Sequence, residues 1–315
     1  MKPSSTAGDA ASASTAEAAA AASSSSSGPS TSASTSTADA THYIAKRVLR
    51  GSAVLHVAEG CFRSPDSADV VLAKETSLEL VAVGDDGVLQ SICEQDMFGI
   101  IKDIGVLQWH SRHVGLIPQI EHKDLLVVLS DSGKLSLLYF CSEMHRFFAI
   151  ANIELSKPGN LRHHLGRILA IDRESNFVAV SSYEDKFALI HVSVSQSGSG
   201  RGIISEKKYF YPPENEEDSR IISSSRTSIR GTIWTMRFIS IPQDEEYYPV
   251  LAMIINRKGS DVNDLSLFGY DTSSCVVDHI SSYSEIGPLA LDISEIPEMF
   301  GFALLLRVGD ALLWI

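Results

Sequence analysis

The chain has 315 residues, 44% of them hydrophobic, and a formal net charge of −13. That apolar content is enough for a sizeable core, while the acidic balance argues against a broad surface for phosphate backbones. The four dispersed cysteines (Cys61, Cys93, Cys141, Cys275) form no CxxC pair and indicate neither a disulfide framework nor a zinc site, and no apolar run reaches the roughly 18–20 residues of a membrane span.

Residues 1–41 come first in chain order. Positions 1–40 are almost entirely Ala, Ser, Thr and Gly and hold no Ile, Leu, Val or aromatic residue. Such a stretch buries too little apolar surface to offset the entropy of ordering, so it reads as a disordered tail. It lacks the apolar h-region of a secretory signal, its only base is Lys2, and the first Arg is Arg47. An organelle address is therefore the weaker reading.

From His42 to Ile315 one phrase recurs. It opens on a Gly leading into a single apolar strand: GSAVLHVAEG from Gly51, GIIKDIGVLQ from Gly99, GRILAIDRE from Gly166, GTIWTMRFIS from Gly231 and GPLALDISEI from Gly287. It closes on two β-rich strands joined by a turn: Val70 to Val83, Leu125 to Phe140, Phe177 to Val192, Val250 to Tyr270 and Phe302 to Ile315. The openings lie 48, 67, 65 and 56 residues apart. Strand-only repeats with a period of about 40–50 residues predict β-propeller blades. In KLSLLYF, Leu135, Leu137 and Tyr139 share one face, and in LELVAV both faces are apolar, as in sheets packed between neighbours. Asp131-Ser132-Gly133 supplies an acceptor and then a residue that tolerates positive φ, as a tight hairpin needs. Gly84 to Gly87 and Val308-Gly309-Asp310 read the same way. The expected fold is all-β: a propeller of WD40-like blades, about five of them.

The connections vary. Trp109 to Asp124 and Gly198 to Arg230 read as long loops, the second with a short KKYFYPP run and an acidic cluster, Glu214 to Asp218. Tyr209 to Pro213 is equally a partner contact or a tolerated insertion. The acidic runs, including QDEEYY from Gln243, and the basic spot Arg226 to Arg230 read as solvated loop.

No catalytic or metal constellation stands out. His110 and His113, and the adjacent His163 and His164, lack the further ligands that zinc requires and read as surface or turn histidines. SGSGRG (Ser197 to Gly202) has no following Lys-Ser/Thr and is no P-loop. No GxSxG elbow occurs. Asp85 and Asp86 sit at a turn, where Asp is expected for backbone reasons.

The run Leu72 to Leu107 resembles the opening propeller of a family of triple-propeller scaffolds. That family includes the large subunits of the UV-damaged-DNA-binding complex and of the cleavage and polyadenylation specificity factor, and the propeller subunit of splicing factor 3b. The matching positions are Ala73, Lys74, Thr76 or Ser77, Leu78 and Glu79, then Met97, Phe98, Gly99 and Ile101. KDLLVVLSDSGKLSLLYF is similar to a second family blade. Ile171, Asp172, Arg173, Glu174, Tyr183 and Asp185 match a third, and Pro297, Glu298 and Gly301 a later turn. Two departures are Glu184-Asp185-Lys186 in place of an Asp-Gly turn and the loss of one Gly in Met299 to Phe302.

The resemblance implies residues 42–315 as part of a first, seven-bladed propeller. Five copies leave such a ring open, and the strand Ala311 to Ile315 has no polar cap, so an incomplete ring that associates through its open end is expected. The resemblance also implies a non-catalytic, nuclear scaffold that binds protein subunits, acting in mRNA cleavage and polyadenylation, in splicing, or as a cullin ubiquitin-ligase adaptor. No cofactor, metal or membrane is expected, and nucleic-acid binding only of a whole assembly. The alternative is a hydrolase at the central channel, where the opening strands offer His56, Lys102, Asp103, Asp172, Arg237 and Asp292.

Overall fold

The computed structural model describes residues 53–84, 86–108, 120, 122–155, 164–172, 174, 176–196, 202–211, 229, 231–240, 249–271, 276–287, 290–295, 304–308 and 311–314. The tail, Asp85, His110, His113, His163, Glu214 to Asp218, Arg226 to Ser228, Cys275 and the turn at Pro297 to Gly301 lie outside them, as do QDEEYY up to Tyr248 and most of SGSGRG.

Antiparallel meanders build the molecule. The first sheet holds β1 (Val54–Gly60), β2 (Asp69–Lys74), β3 (Ser77–Val83) and β4 (Leu89–Asp96). The second holds β5 (Ile101–Leu107), β6 (Leu125–Ser130), β7 (Lys134–Cys141) and β8 (Arg146–Glu154). In the third are β9 (Leu165–Ile171), β10 (Phe177–Ser182), β11 (Phe187–Gln196) and β12 (Gly202–Tyr211). The fourth contains β13 (Gly231–Ser240), β14 (Pro249–Arg257), β15 (Asn263–Asp271) and β16 (Val276–Gly287), and the fifth β17 (Ala290–Glu295), β18 (Leu304–Val308) and β19 (Ala311–Trp314). These are propeller blades: each repeat opening becomes a blade's first strand, and successive first strands β1, β5, β9, β13 and β17 lie side by side.

Period-two alternation feeds two cores from one strand. On β6, Leu125, Val127 and Leu129 point to the third sheet, while Leu126 and Val128 point to the first. On β10, Val178 and Val180 face the second sheet, and Phe177 and Ala179 the fourth. On β14, Leu251, Met253 and Ile255 pack toward the third sheet, and Val250, Ala252 and Ile254 toward Ile293 of the fifth. All six residues of β6, and of β10, are therefore buried. The junction of the third and fourth sheets is aromatic, with Phe268 edge-on to Phe187 at 5.0 Å and to Tyr211 at 4.9 Å.

One expectation is corrected. The connection Gly198 to Arg230 is not a loop throughout: Gly202–Tyr211 is a ten-residue strand, paired with β11 from Gln196↔Gly202 to Phe187↔Tyr211. This is the blade's outermost strand, a position the repeat phrase did not assign in any copy. Outermost strands are half-solvated, so they lack the apolar run that marks the middle ones. β4, LQSICEQD, has no buried residue.

The blades have two ends. On the upper face, each first strand begins beside the hairpin turn between second and third strands. There the crossover to the next blade bonds that turn: Met97 N–H donates to the Thr76 carbonyl at 2.8 Å and Ile101 N–H to the Glu75 carbonyl at 2.9 Å. The lower face carries the loops between first and second strands. The turn residue Gly133 has φ of 78°, as its place in the sequence requires, and Asp185 adopts 58° in the turn that lacks a Gly.

Candidate interaction face

Asp69 opens β2 and Asp124 immediately precedes β6, both on the lower face, and both are buried. The Asp69 carboxylate accepts from the N–H groups of Phe62 (3.2 Å) and Arg63 (2.9 Å), the Ser67 hydroxyl (2.6 Å) and Arg63 Nε (2.6 Å). Asp124 accepts from Cys61 N–H at 2.8 Å and returns its own N–H to the Cys61 carbonyl at 3.0 Å, joining the first two blades. Burial, then the carboxylates of Asp124 and Asp69, hold the Cys61 thiol above its ordinary pKa, which disfavours the reactive thiolate.

Asp172 belongs to this lower set. Its carboxylate accepts from Glu174 N–H and Asn176 N–H, both at 3.1 Å, closing the turn after β9. It therefore does not join His56, Asp103, Arg237 and Asp292, which pair off between neighbouring first strands, while Lys102 sits at the register shift of β5. His56 Nδ1 on β1 lies 3.4 Å from Asp103 Oδ1 on β5, and Asp103 Oδ2 accepts from Leu169 N–H on β9 at 3.0 Å. Arg167 Nη1 on β9 donates to the Ile233 carbonyl on β13 at 2.8 Å, and Arg237 Nε on β13 lies 3.5 Å from Asp292 Oδ1 on β17. These polar groups stitch the blades around the axis one junction at a time; they do not converge on a reacting atom.

Asp103 makes this stitching sensitive to pH. Burial raises its pKa; the hydrogen bond from Leu169, His56 and the Ile104 N–H pull the other way. The folded state thus holds the proton more tightly than the unfolded chain. The stability this confers is present at low pH and is lost as pH rises through the raised value. Wild type is expected to gain stability over Asp103→Asn as pH falls from about 7 toward about 4, the carboxylate range. Urea midpoints across that window read the difference, and a flat or inverted difference would show the assignment to be wrong.

The upper face is different in kind. Register slips by one residue near the start of four first strands, setting Leu55, Lys102, Trp234 and Leu291 into bulges. Bulges re-aim side chains at such rims. Leu55 and Trp234 are exposed, as are Tyr183 in the turn after β10 and Phe98 in the crossover after β4. Phe98 is 93% exposed. Its neighbour Gly99 sits at φ 84° against the Asp131 carboxylate, which accepts from Ile100 N–H at 2.7 Å and so fixes this crossover.

The Arg167 guanidinium lies between two of these rings, 5.3 Å from the centre of Tyr183 and 5.7 Å from that of Trp234. Burial lowers its pKa, yet arginine remains charged. Trp, Tyr and Arg are the side chains that most often anchor protein interfaces, and cation–π stacking fixes their rotamers in advance. Sequence reading did not find this group, because bulge and turn bring its members together from positions 167, 183 and 234. Among the described residues no three His, Cys, Asp or Glu side chains group as metal ligands. His164 is half-buried just before β9.

Comparison with known proteins agrees with this architecture. Residues 53–295 match the RSE1/DDB1/CPSF1 first β-propeller family model. The pre-mRNA-splicing factor RSE1 of Debaryomyces hansenii is 32% identical over 133 residues, 42% of this chain and 10% of that protein. The pre-mRNA-splicing factor prp12 of Schizosaccharomyces pombe is 32% identical over 125 residues, 39% of this chain and 10% of that protein. A Dictyostelium discoideum protein named "Probable splicing factor 3B subunit 3" is 27% identical over 143 residues, 45% of this chain and 11% of that protein. The matched stretch thus spans about a tenth of each relative's length. With the family model covering most of the chain and the blades matching its description, this chain belongs to the RSE1/DDB1/CPSF1 first β-propeller family.

Proposed function

We propose that this chain is a non-catalytic protein-interaction module of a nuclear pre-mRNA splicing assembly. The observation that carries the reading is the splicing function in the names of the relatives reported above, on a family model covering residues 53–295. It weights splicing over cleavage and polyadenylation and over a cullin adaptor. The upper face supports an interaction role, since its exposed Phe98, Tyr183 and Trp234 are interface-type side chains held on a rigid scaffold. The axial residues support the non-catalytic reading, because His56, Asp103, Arg237 and Asp292 are engaged pairwise between blades. A net charge of −13 favours protein over nucleic-acid partners for this portion.

Affinity purification from nuclear extract, with mass spectrometry, tests this. Splicing subunits are expected with the wild-type chain. Trp234→Ala is expected to reduce their recovery severalfold, the loss of one anchor residue, with an unchanged melting temperature. Recovery of cullin-ring or polyadenylation components in their place would overturn the splicing assignment. Hydrolysis of generic ester substrates, abolished by His56→Ala, would overturn the non-catalytic one.

A further inference from the structure

A cavity of about 450 Å³ opens on the fourth sheet, on the side packed toward the third. That volume falls within the range of roughly 300–1,000 Å³ that takes a ligand or a side chain. Its apolar wall is Ile229, Ile255 and Phe268. Beside it on the same face of the sheet runs a chain of hydroxyls and nitrogens: Ser266 Oγ lies 3.0 Å from Ser282 Oγ, which lies 2.6 Å from His279 Nε2. Arg257 Nη2 donates to Ser284 Oγ at 3.3 Å and holds Asp264, and Lys258 completes the rim. Among the described residues the lining carries two permanent cations, Arg257, which is committed to Asp264, and Lys258, in a chain whose net charge is −13.

Two contacts connect this cavity to the stack nearer the axis. Lys258, its side chain 73% exposed, places Nζ 3.8 Å from Glu184 Oε2, and Glu184 follows Tyr183 in the turn after β10. Asp185 of the same turn accepts from Gly231 N–H at 2.7 Å, at the start of the strand that carries Trp234. Aromatic stack, turn and cavity therefore follow one another outward along the junction of the third and fourth blades.

We propose that this junction is a docking site for an acidic, extended segment of a partner protein. The proposal rests on the reading of the chain as an interaction module and names the chemistry of its partner. The exposed Lys258, held only by its 3.8 Å pair with Glu184, is the cation open to an incoming carboxylate and selects the occupant. The segment's carboxylate takes the place of Glu184 at the exposed Lys258 and faces the serine hydroxyls of the cavity wall. An apolar neighbour in the segment covers the half-exposed rings of Tyr183 and Trp234. Hydroxyl donors and a cation at the mouth of an apolar-floored pocket recognise an anionic side chain in this way.

The test is a selection of random twelve-residue peptides displayed against the full chain. Enriched peptides are expected to carry Asp or Glu next to apolar residues. Lys258→Glu and, separately, Trp234→Ala should each weaken the selected peptides about tenfold, the cost of reversing one contact charge or removing one anchor. Both positions are exposed, and melting curves check that each variant folds. Enrichment without acidic residues, no enrichment, or indifference to both substitutions overturns the proposal. So does tighter binding of a ten-nucleotide single-stranded RNA that the same substitutions abolish. Peptide binding with no splicing subunits in the purification would remove the splicing assignment and leave this site standing; the reverse result would remove this site alone.

Discussion

Asp69→Ala is expected to lower unfolding stability by on the order of 3 kcal/mol, the upper end for leaving buried donors without their acceptor. The Asp69 side chain is fully buried at the start of β2 and accepts four hydrogen bonds, from two backbone N–H groups, one hydroxyl and the Arg63 guanidinium. Truncation leaves the Phe62 and Arg63 amides and Arg63 Nε facing a small apolar gap. Phe62, itself fully buried, closes the core side, so water can reach these donors only from the side of Arg63 and Ser67. Asp69→Asn keeps the shape and one acceptor and is expected to lose about 1–3 kcal/mol, the cost of mismatched buried donors. At roughly 2–4 °C per kcal/mol for a domain of this size, the alanine variant should melt about 10 °C lower. Thermal and urea unfolding measure both. An alanine variant within about 1 kcal/mol of wild type, the size of an ordinary hydrogen bond, would show that the network is not structural.

The same aspartates show how far the sequence could be read. Middle strands such as LLVVLS and FVAVSS are apolar at every position or nearly so, because each faces a core on both sides. Such runs announce themselves, and with them the blades. The first strands were legible through their Gly openings. The outermost strands were not, since KKYFY and LQSICEQD mix polar and apolar residues on a half-solvated edge. Asp69-Val70-Val71 and Asp124-Leu125-Leu126 form a recurring Asp-apolar-apolar phrase that could have marked the lower-face turns. The Tyr183–Arg167–Trp234 stack left no such trace. Its geometry depends on a slipped register in β13 and a positive φ at Asp185, and neither is encoded in spacing. Asp172 shows the converse error: a carboxylate at the end of a first strand suggests the channel, yet its oxygens turn away to close the loop after β9.

Gly231→Ala should be comparably damaging, for a reason in the backbone itself. A Cβ at Gly231 would fall onto the Asn256 carbonyl group, 2.9 Å from its carbon, and 3.1 Å from Arg257 Cα. These atoms belong to β14, the strand buried between two cores, so no side chain can swing aside. Relief requires β13 to move away from β14, which breaks the Gly231↔Arg257 end of their ladder and the exchange of hydrogen bonds between Gly231 and Asp185. Overpacking of this kind costs about 3 kcal/mol or more. Two other glycines calibrate the claim. At Gly105 the added Cβ meets the flexible end of Ile171, which can rotate, and at Gly259 it meets open space, leaving only the strain of φ 80°. Each of those alanine variants is expected to lose about 1–2 kcal/mol. Urea unfolding of the three variants should rank Gly231 well below the other two, and equal losses would refute the backbone clash. Because the strain falls on the turn that carries Tyr183 and on the strand that carries Trp234, Gly231→Ala should also open the stack around Arg167. Quenched or red-shifted Trp234 fluorescence at temperatures where the variant remains folded would report that opening, and an unchanged emission would confine the damage to stability alone.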